Sequence, residues 1–349
     1  MKILVLISSL EGGGAERIAS RVASALSERH EVRIMPFSLA SDPYPLSDKV
    51  KVEKAALFDL RKKSRLPFRF IFSVIYGYVF LSITRLRFRP DVTLSFLKKP
   101  NLLNAFTLGG GRKIMCERNN PKRKGKRHFR LAKLAYRYAD KVIFQSATVR
   151  NMFPEAIRAK GVIVPNPVEV TCLSEGGSRK IVSVGRLKKQ KNHELLIRAF
   201  ADFNAAHPGH TLHIYGKGPL EDDLRRLVSE LALDDCVFLE GFVKNVHESV
   251  RDAEMFVLPS DFEGMPNALL EAMMMGLPCV TTLFEGSSDL FGSEDCCLFV
   301  PCGDKDALTG AISSLAGDPR LREGLSRKAA EFAAGFSTEK VIPLWEKEL

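Results

Sequence analysis

The segment Pro259-Ser260-Asp261-Phe262-Glu263-Gly264-Met265-Pro266-Asn267-Ala268-Leu269-Leu270-Glu271 holds two carboxylates eight positions apart, around a glycine and a proline. A strand is predicted to end near Pro259 and a helix to begin around Pro266. Proline is tolerated in a first helical turn, and Gly276 followed by Pro278 supplies the stop. Glu263 then lies in the loop and Glu271 about a turn and a half into the helix. One carboxylate can meet a sugar and the other ribose hydroxyls, with the helix N-terminus facing the same site. Upstream, Val184-Gly185-Arg186-Leu187 and then Lys191 put a guanidinium and an ammonium at a strand end. Open α/β domains bind anions there, and two such cations can neutralise a diphosphate. Tyr215-Gly216-Lys217-Gly218-Pro219 repeats the arrangement, its glycines permitting close backbone approach. Near the start, Glu11-Gly12-Gly13-Gly14-Ala15-Glu16-Arg17 follows a strand and opens a helix, which suits a phosphate or a sugar. Reading G-x-G-x-x-G from Gly12 and Gly14 puts Arg17 at the third glycine, which argues against NAD or FAD. Each segment also admits a plain structural reading as a turn or as solvated charge. The strand, glycine, proline and helix context argues most strongly against that reading at Glu263 and Glu271.

Such segments need strand ends to carry them, and short apolar runs alternate with amphipathic stretches throughout the chain. That alternation predicts an α/β protein of parallel sheets covered by helices on both faces. Strands are expected near Ile3 to Ile7, Val32 to Pro36, Val92 to Phe96, Lys113 to Cys116, Val142 to Phe144 and Val162 to Val164. The pattern restarts with strands at Ile181 to Val184, Leu212 to Tyr215, Val237 to Leu239 and Met255 to Pro259, and a helix over Leu195 to Phe203. Val164-Pro165-Asn166-Pro167 and the polar stretch Ser174 to Arg179 read as the linker. A length of 349 residues and 45% hydrophobic content suit two such domains.

The chain resembles glycosyltransferase family 4, the retaining transferases with the GT-B fold. The resemblance is carried by GGAER at Gly13 to Arg17, VGRL-x3-KN at Val184 to Asn192, GKGP at Gly216 to Pro219 and E-x7-E from Glu263 to Glu271. It implies two Rossmann-like, doubly wound domains facing each other across a cleft. The acceptor domain would span 1–167, with a C-terminal helix at about 335–349 packing back on it, and the donor domain 178–334. Arg186 and Lys191 would hold the donor diphosphate, Glu271 the ribose, and Glu263 the transferred sugar. Glu263, Arg186 and Lys191 form the implied catalytic set. Phe242, beside Gly241, would meet the base, and N–H groups near Met265, Pro266 and Asn267, with Gly264, the distal phosphate. Gly13, Gly14, Gly185, Gly216, Lys217 and Gly218 complete the implied donor site.

No metal or cofactor is expected, and Asp304-Lys305-Asp306 reads as a surface feature despite its D-x-D spacing. Related enzymes often carry a histidine after the fifth N-terminal strand, where this sequence reads Cys116-Glu117-Arg118-Asn119-Asn120-Pro121. Arg118 and Asn119 take that neighbourhood, followed by Lys122, Arg123 and Lys124 on the expected acceptor side. The resemblance extends to bacterial enzymes that build lipid-linked oligosaccharides and surface polysaccharides, and it favours a UDP sugar as donor. The acceptor hydroxyl would attack from the leaving-group side, with retention.

The charge is divided unevenly. Residues 1–168 carry 33 Lys and Arg against 12 Asp and Glu, a balance of +21, while the remainder carries 19 against 29, a balance of −10. A basic first half favours an anionic surface or substrate, whether phospholipid, nucleic acid or a lipid diphosphate, and charge alone does not choose among these. Nucleic acid is not the expected partner, because a basic binding module would leave E-x7-E without a purpose. A UDP-sugar 2-epimerase of similar shape would need cleft acids and bases that the sequence does not point to. Seven cysteines without a CxxC pair argue against a disulfide framework. The apolar run in the first residues is shorter than a signal peptide requires. The uncharged stretch Phe70 to Thr84, 15 residues, is too short to span a bilayer and reads as a core or interfacial helix. These features place the protein in the cytoplasm, peripheral at the inner membrane face.

Overall fold

The computed structural model describes residues 1–11, 13–38, 43–53, 68–118, 125–292 and 295–349, and in the helix that opens at Phe68 it describes side chains from residue 75. The chain divides into two compact units, Met1–Pro167 with Thr338–Leu349, and Val168–Ser337.

The first unit runs β1 (Lys2–Ile7), α1 (Gly14–Leu26), β2 (Glu31–Pro36), β3 (Lys51–Val52), α2 (Phe68–Phe88), β4 (Val92–Phe96), α3 (Lys98–Phe106), β5 (Arg112–Glu117), α4 (Lys126–Arg137), β6 (Lys141–Phe144), α5 (Ala147–Asn151), α6 (Glu155–Arg158) and β7 (Gly161–Ile163). The second runs β8 (Lys180–Val184), α7 (His193–Ala206), β9 (Thr211–Tyr215), α8 (Glu221–Glu230), β10 (Val237–Gly241), α9 (Val246–Val250), β11 (Met255–Leu258), α10 (Asn267–Met274), β12 (Cys279–Thr282), α11 (Ser287–Phe291), β13 (Leu298–Val300), α12 (Lys305–Gly317) and α13 (Pro319–Ala333). The last helix, α14 (Thr338–Glu348), belongs to the first unit.

Both sheets are parallel, ordered β3-β2-β1-β4-β5-β6-β7 and β10-β9-β8-β11-β12-β13. Strands such as Lys2–Ile7 and Met255–Leu258 are buried on both sides, which is why they read as near-continuous apolar runs. Successive residues of β1 face opposite ways. Ile3, Val5 and Ile7 pack with Ile18 and Val22 of α1 and with Val341 and Trp345 of α14. Leu4 and Leu6 pack with Leu81 of α2 and Leu103 of α3. Trp345 stacks on Phe96 at 5.8 Å, and Arg29 pairs with Glu346 at 3.0 Å. The short edge strand β3 and strands β12 and β13 were not singled out by the sequence pattern. The strand expected at Val162 to Val164 lies at Gly161–Ile163, a boundary shift within ordinary fraying.

Gly310 and Gly324 sit inside α12 and α13, where an added Cβ would meet nothing within 4 Å. Glycine costs a helix interior about 0.5–1 kcal/mol relative to alanine. Gly310→Ala and Gly324→Ala should therefore each stabilise the protein by about that amount in urea denaturation, and a loss of stability would refute the open packing at these positions.

Candidate active site

In the second sheet the strand order reverses between β8 and β11, and ligands of open α/β sheets bind at the carboxyl ends of strands at such a switch point. The chain leaves β8 through Gly185, Arg186 and Leu187, and leaves β11 through Pro259 to Glu263. A 3-10 turn over Lys189–Lys191 leads to Asn192, whose φ of 47° is a left-handed conformation that asparagine tolerates. Asn192 caps α7 by accepting from the Leu195 N–H, and its Nδ2 donates to Asp261 Oδ1 at 2.9 Å. Asp261 N donates to the Gln190 carbonyl at 3.0 Å, and Gln190 Nε2 to the Phe262 carbonyl at 2.9 Å. The two loops are thereby laced together.

The lacing brings Lys191 Nζ to 2.7 Å from Glu263 Oε1, and Ser260 Oγ donates to the same oxygen at 2.7 Å. Side-chain exposure is 17% for Lys191 and 7% for Glu263, so the pair is largely withdrawn from water. Lys191, read in the sequence as a diphosphate cation, is thus already ion-paired, and Arg186 is the more exposed cation. The N-terminus of α10 opens just after this loop, at Asn267.

Glycine is required where the β8 and β9 exits meet. A Cβ on Gly216 (φ 146°) would lie 1.9 Å from the Gly185 carbonyl oxygen, and one on Gly218 would lie 2.3 Å from that of Leu187. The Gly185 N–H donates to Tyr215 O at 2.9 Å, and the Gly216 N–H to Gly241 O at 2.7 Å. Gly241 (φ 73°) turns the β10 exit so that Phe242 stands exposed, as does Lys217.

Glu271 is buried in α10 and faces His247 of α9, with Nε2 at 3.4 Å from Oε2. The Thr171 backbone N–H points at His247 Nδ1 at 3.3 Å. An N–H can only donate, so Nδ1 accepts and the ring proton sits on Nε2, aimed at Glu271. Glu263 and Glu271 therefore have separate partners. Gln190, Ser260, Thr171 and His247 carry no local signal that would single them out. Asn192 stands inside a quoted motif, but nothing in that motif gives its role. Asp304 Oδ1 accepts from the Ala307 N–H and caps α12, a structural account of the D-x-D spacing.

His193, next to Lys191, is 3% exposed. Burial first, and the Lys191 charge second, push its pKa down to about 3. Between that value and the unfolded value of roughly 6.5 the unfolded chain binds the extra proton. Its contribution to stability is thus complete above about pH 6.5 and is lost as the pH falls toward 3. The thermal midpoint of wild type should decline more steeply than that of His193→Leu over this window, and parallel declines would refute the assignment.

Gly13 and Gly14 lie in the other unit, where Gly13 precedes α1 and its carbonyl accepts from the Arg17 N–H at 3.0 Å. Arg118 follows β5 as read, but its guanidinium is buried. It donates to Val164 O and Asn166 Oδ1, both at 3.1 Å, and lies 4.7 Å from the Trp345 ring centre. It ties β5 to the β7 exit and α14, which accounts for it structurally. Asn119, Lys122, Arg123 and Lys124 lie outside the described residues.

The fold is GT-B, and its likeness to known proteins makes the chain a glycosyltransferase. Residues 172–332 match the family described as Glycosyl transferases group 1. The chain is 26% identical to the Campylobacter jejuni N-acetylgalactosamine-N,N'-diacetylbacillosaminyl-diphospho-undecaprenol 4-alpha-N-acetylgalactosaminyltransferase, covering 97% of each. It is 25% identical to a GalNAc-alpha-(1->4)-GalNAc-alpha-(1->3)-diNAcBac-PP-undecaprenol alpha-1,4-N-acetyl-D-galactosaminyltransferase of the same organism, covering 99% and 98%. Among solved structures, HepE of Anabaena in complex with UDP and glucose aligns with a TM-score of 0.82 at 18% identity, over 99% of this chain and 98% of that one.

Proposed function

We propose that the protein is a retaining transferase of glycosyltransferase family 4. It moves a hexose or N-acetylhexosamine from a UDP sugar to a lipid-linked or polysaccharide acceptor at the cytoplasmic face of the membrane. The observation that carries this reading is the Lys191–Glu263 contact at the switch point of the unit that matches the family model. Arg186, Lys191 and the α10 N-terminus are the electropositive groups that would stabilise the departing diphosphate, so no metal is invoked. Glu263 would hold the sugar, Glu271 the ribose in an orientation set by His247, and Phe242 the base. As the bond from the anomeric carbon to the diphosphate breaks, the acceptor oxygen bonds to that carbon from the same side. A diphosphate oxygen takes the acceptor proton, which leaves charge and configuration conserved. Two relatives named for diphospho-undecaprenol-linked sugars, aligned over nearly their whole length, support the acceptor class. UDP in a structural neighbour supports the donor.

The test is nucleotide release from UDP-Glc, UDP-Gal, UDP-GlcNAc, UDP-GalNAc and GDP-Man, with and without a bacterial lipid extract. Release from one UDP sugar, stimulated by lipid, lost in Arg186→Ala and yielding the donor's own anomer by NMR, is expected. Turnover of GDP-Man alone would remove the UDP assignment, an inverted product the retaining one, and no turnover of any donor the transferase reading itself.

A further inference from the structure

Helices α2, α3 and α4 lie on one face of the first unit's sheet, and α1 and α14 lie on the other. Leu81, Phe88 and Leu103 pack against Leu4 and Leu6, and Ala132 and Tyr136 against Met115 and Val142, whereas α1 and α14 cover Ile3, Val5 and Ile7. The two layers differ sharply in charge. Together α2, α3 and α4 carry ten Lys and Arg and no Asp or Glu, while α1 and α14 carry four of each sign.

The outward side of α2 is also inverted with respect to a soluble helix. Ile75, Val79, Ile83 and Leu86, spaced four, four and three residues apart, form one stripe that is 42–61% exposed. Arg85 on the same helix is 1% exposed and donates inward to Thr107 and to the Gly110 carbonyl. A helix that ends in water normally places its charge outward and its isoleucines inward. The apolar band continues through the loop that Arg85 grips, to exposed Leu108 and Phe106, and on to Tyr138, whose ring lies 5.1 Å from that of Phe106. Tyr138 ends α4, whose exposed positions Arg127, Arg130, Leu134 and Arg137 share one face.

From this arrangement we infer that the α2–α4 layer is a docking surface for an anionic lipid bilayer, with the α2 stripe and its neighbouring aromatics entering the interface and the α4 arginines meeting lipid phosphates. Apolar side chains flanked by cations, on helices that themselves carry no carboxylate and with exposed Asp140 lying just past the end of α4, match a negatively charged interface. A second copy of this chain meeting it through the same layer would set the exposed arginines Arg127, Arg130 and Arg137 against their own kind, because α2, α3 and α4 carry no acidic residue. The inference rests on the lipid-acceptor reading for its choice of a bilayer. Its test uses neither donor nor acceptor, so its failure would leave the transferase reading standing.

The test is flotation of the full chain with vesicles of phosphatidylcholine, with and without phosphatidylglycerol, at increasing salt. Wild type should float with the anionic vesicles and be released by salt. Arg127→Glu/Arg130→Glu/Arg137→Glu should weaken binding roughly a hundredfold or more, at about 1 kcal/mol for each charge removed. Val79→Asp/Ile83→Asp should weaken it at least about tenfold, and circular dichroism checks the fold of both variants. If the aspartate variant does not fold, the arginine set decides alone. Failure of wild type to float, equal binding to neutral vesicles, or wild-type binding by the folded variants would overturn the inference. So would light scattering that shows a dimer broken by Val79→Asp/Ile83→Asp, which would make the stripe a self-association face.

Discussion

Glu263→Gln is expected to lower kcat by about two to three orders of magnitude, with the donor KM changed by much less. The neutral amide can still accept the Ser260 hydrogen bond, but it removes the charge that holds Lys191 Nζ at 2.7 Å and that would meet the sugar. Electrostatic groups of this kind typically contribute about a hundredfold to a thousandfold in turnover. Because the pair is mostly buried, losing one charge should also destabilise the protein by about 1–3 kcal/mol. Lys191→Met should produce a similar loss. The double variant should cost clearly less than the sum of the two, since groups that act as a unit are not additive. Steady-state kinetics of the four proteins decides the point. Strict additivity would mean that the contact has no part in turnover, and undiminished activity in Glu263→Gln would remove the residue from the reaction.

Gly216→Ala is expected to destabilise the second unit by about 3–5 kcal/mol and, on the proposed function, to abolish donor binding. The new Cβ would lie 1.9 Å from the Gly185 carbonyl oxygen, and φ at this position is 146°. Neither strand end can retreat freely, because the Gly185 N–H is bonded to Tyr215 O and the Gly216 N–H to Gly241 O. Overlap with backbone is relieved only by shifting the loops that carry Arg186 and Lys217. The open positions Gly310 and Gly324 predict the opposite sign for the same chemical change. Denaturation midpoints for the three alanine variants, with calorimetric titration of UDP into Gly216→Ala, test the contrast. A Gly216→Ala protein with wild-type stability would show that the β8 and β9 exits are not packed as described.

Much of the fold was legible because parallel strands buried on both faces leave continuous apolar runs, and because glycine and proline punctuate strand-to-helix turns. Ile3 to Ile7 was located within one residue of β1 in this way, and the α10 start near Pro266 within one. Strands β12 and β13 were not, because Cys279–Thr282 and Leu298–Val300 are short and carry little pattern of their own. Glu263, Lys191 and Gly216 stood out as types at telling positions, whereas Ser260, Gln190 and His247 are ordinary residues until their partners are known.

By itself the sequence determined the α/β class, the two-part organisation of its pattern, the order of the motifs and the excess of basic residues in the first half. These are local or compositional properties, written in hydrophobic period, turn chemistry and charge. Only the tertiary structure decided that Lys191 is paired with Glu263, 72 positions away, and that His247 orients on Glu271 through Thr171, 76 positions from the histidine. It alone turned Arg85 inward, left Ile75, Val79 and Ile83 facing out, and committed Arg118 to Trp345. Such contacts depend on which strand ends the sheet order makes neighbours and which helix faces the sheet covers, and each forms only once long-range chain closure has been offset by burial of the core.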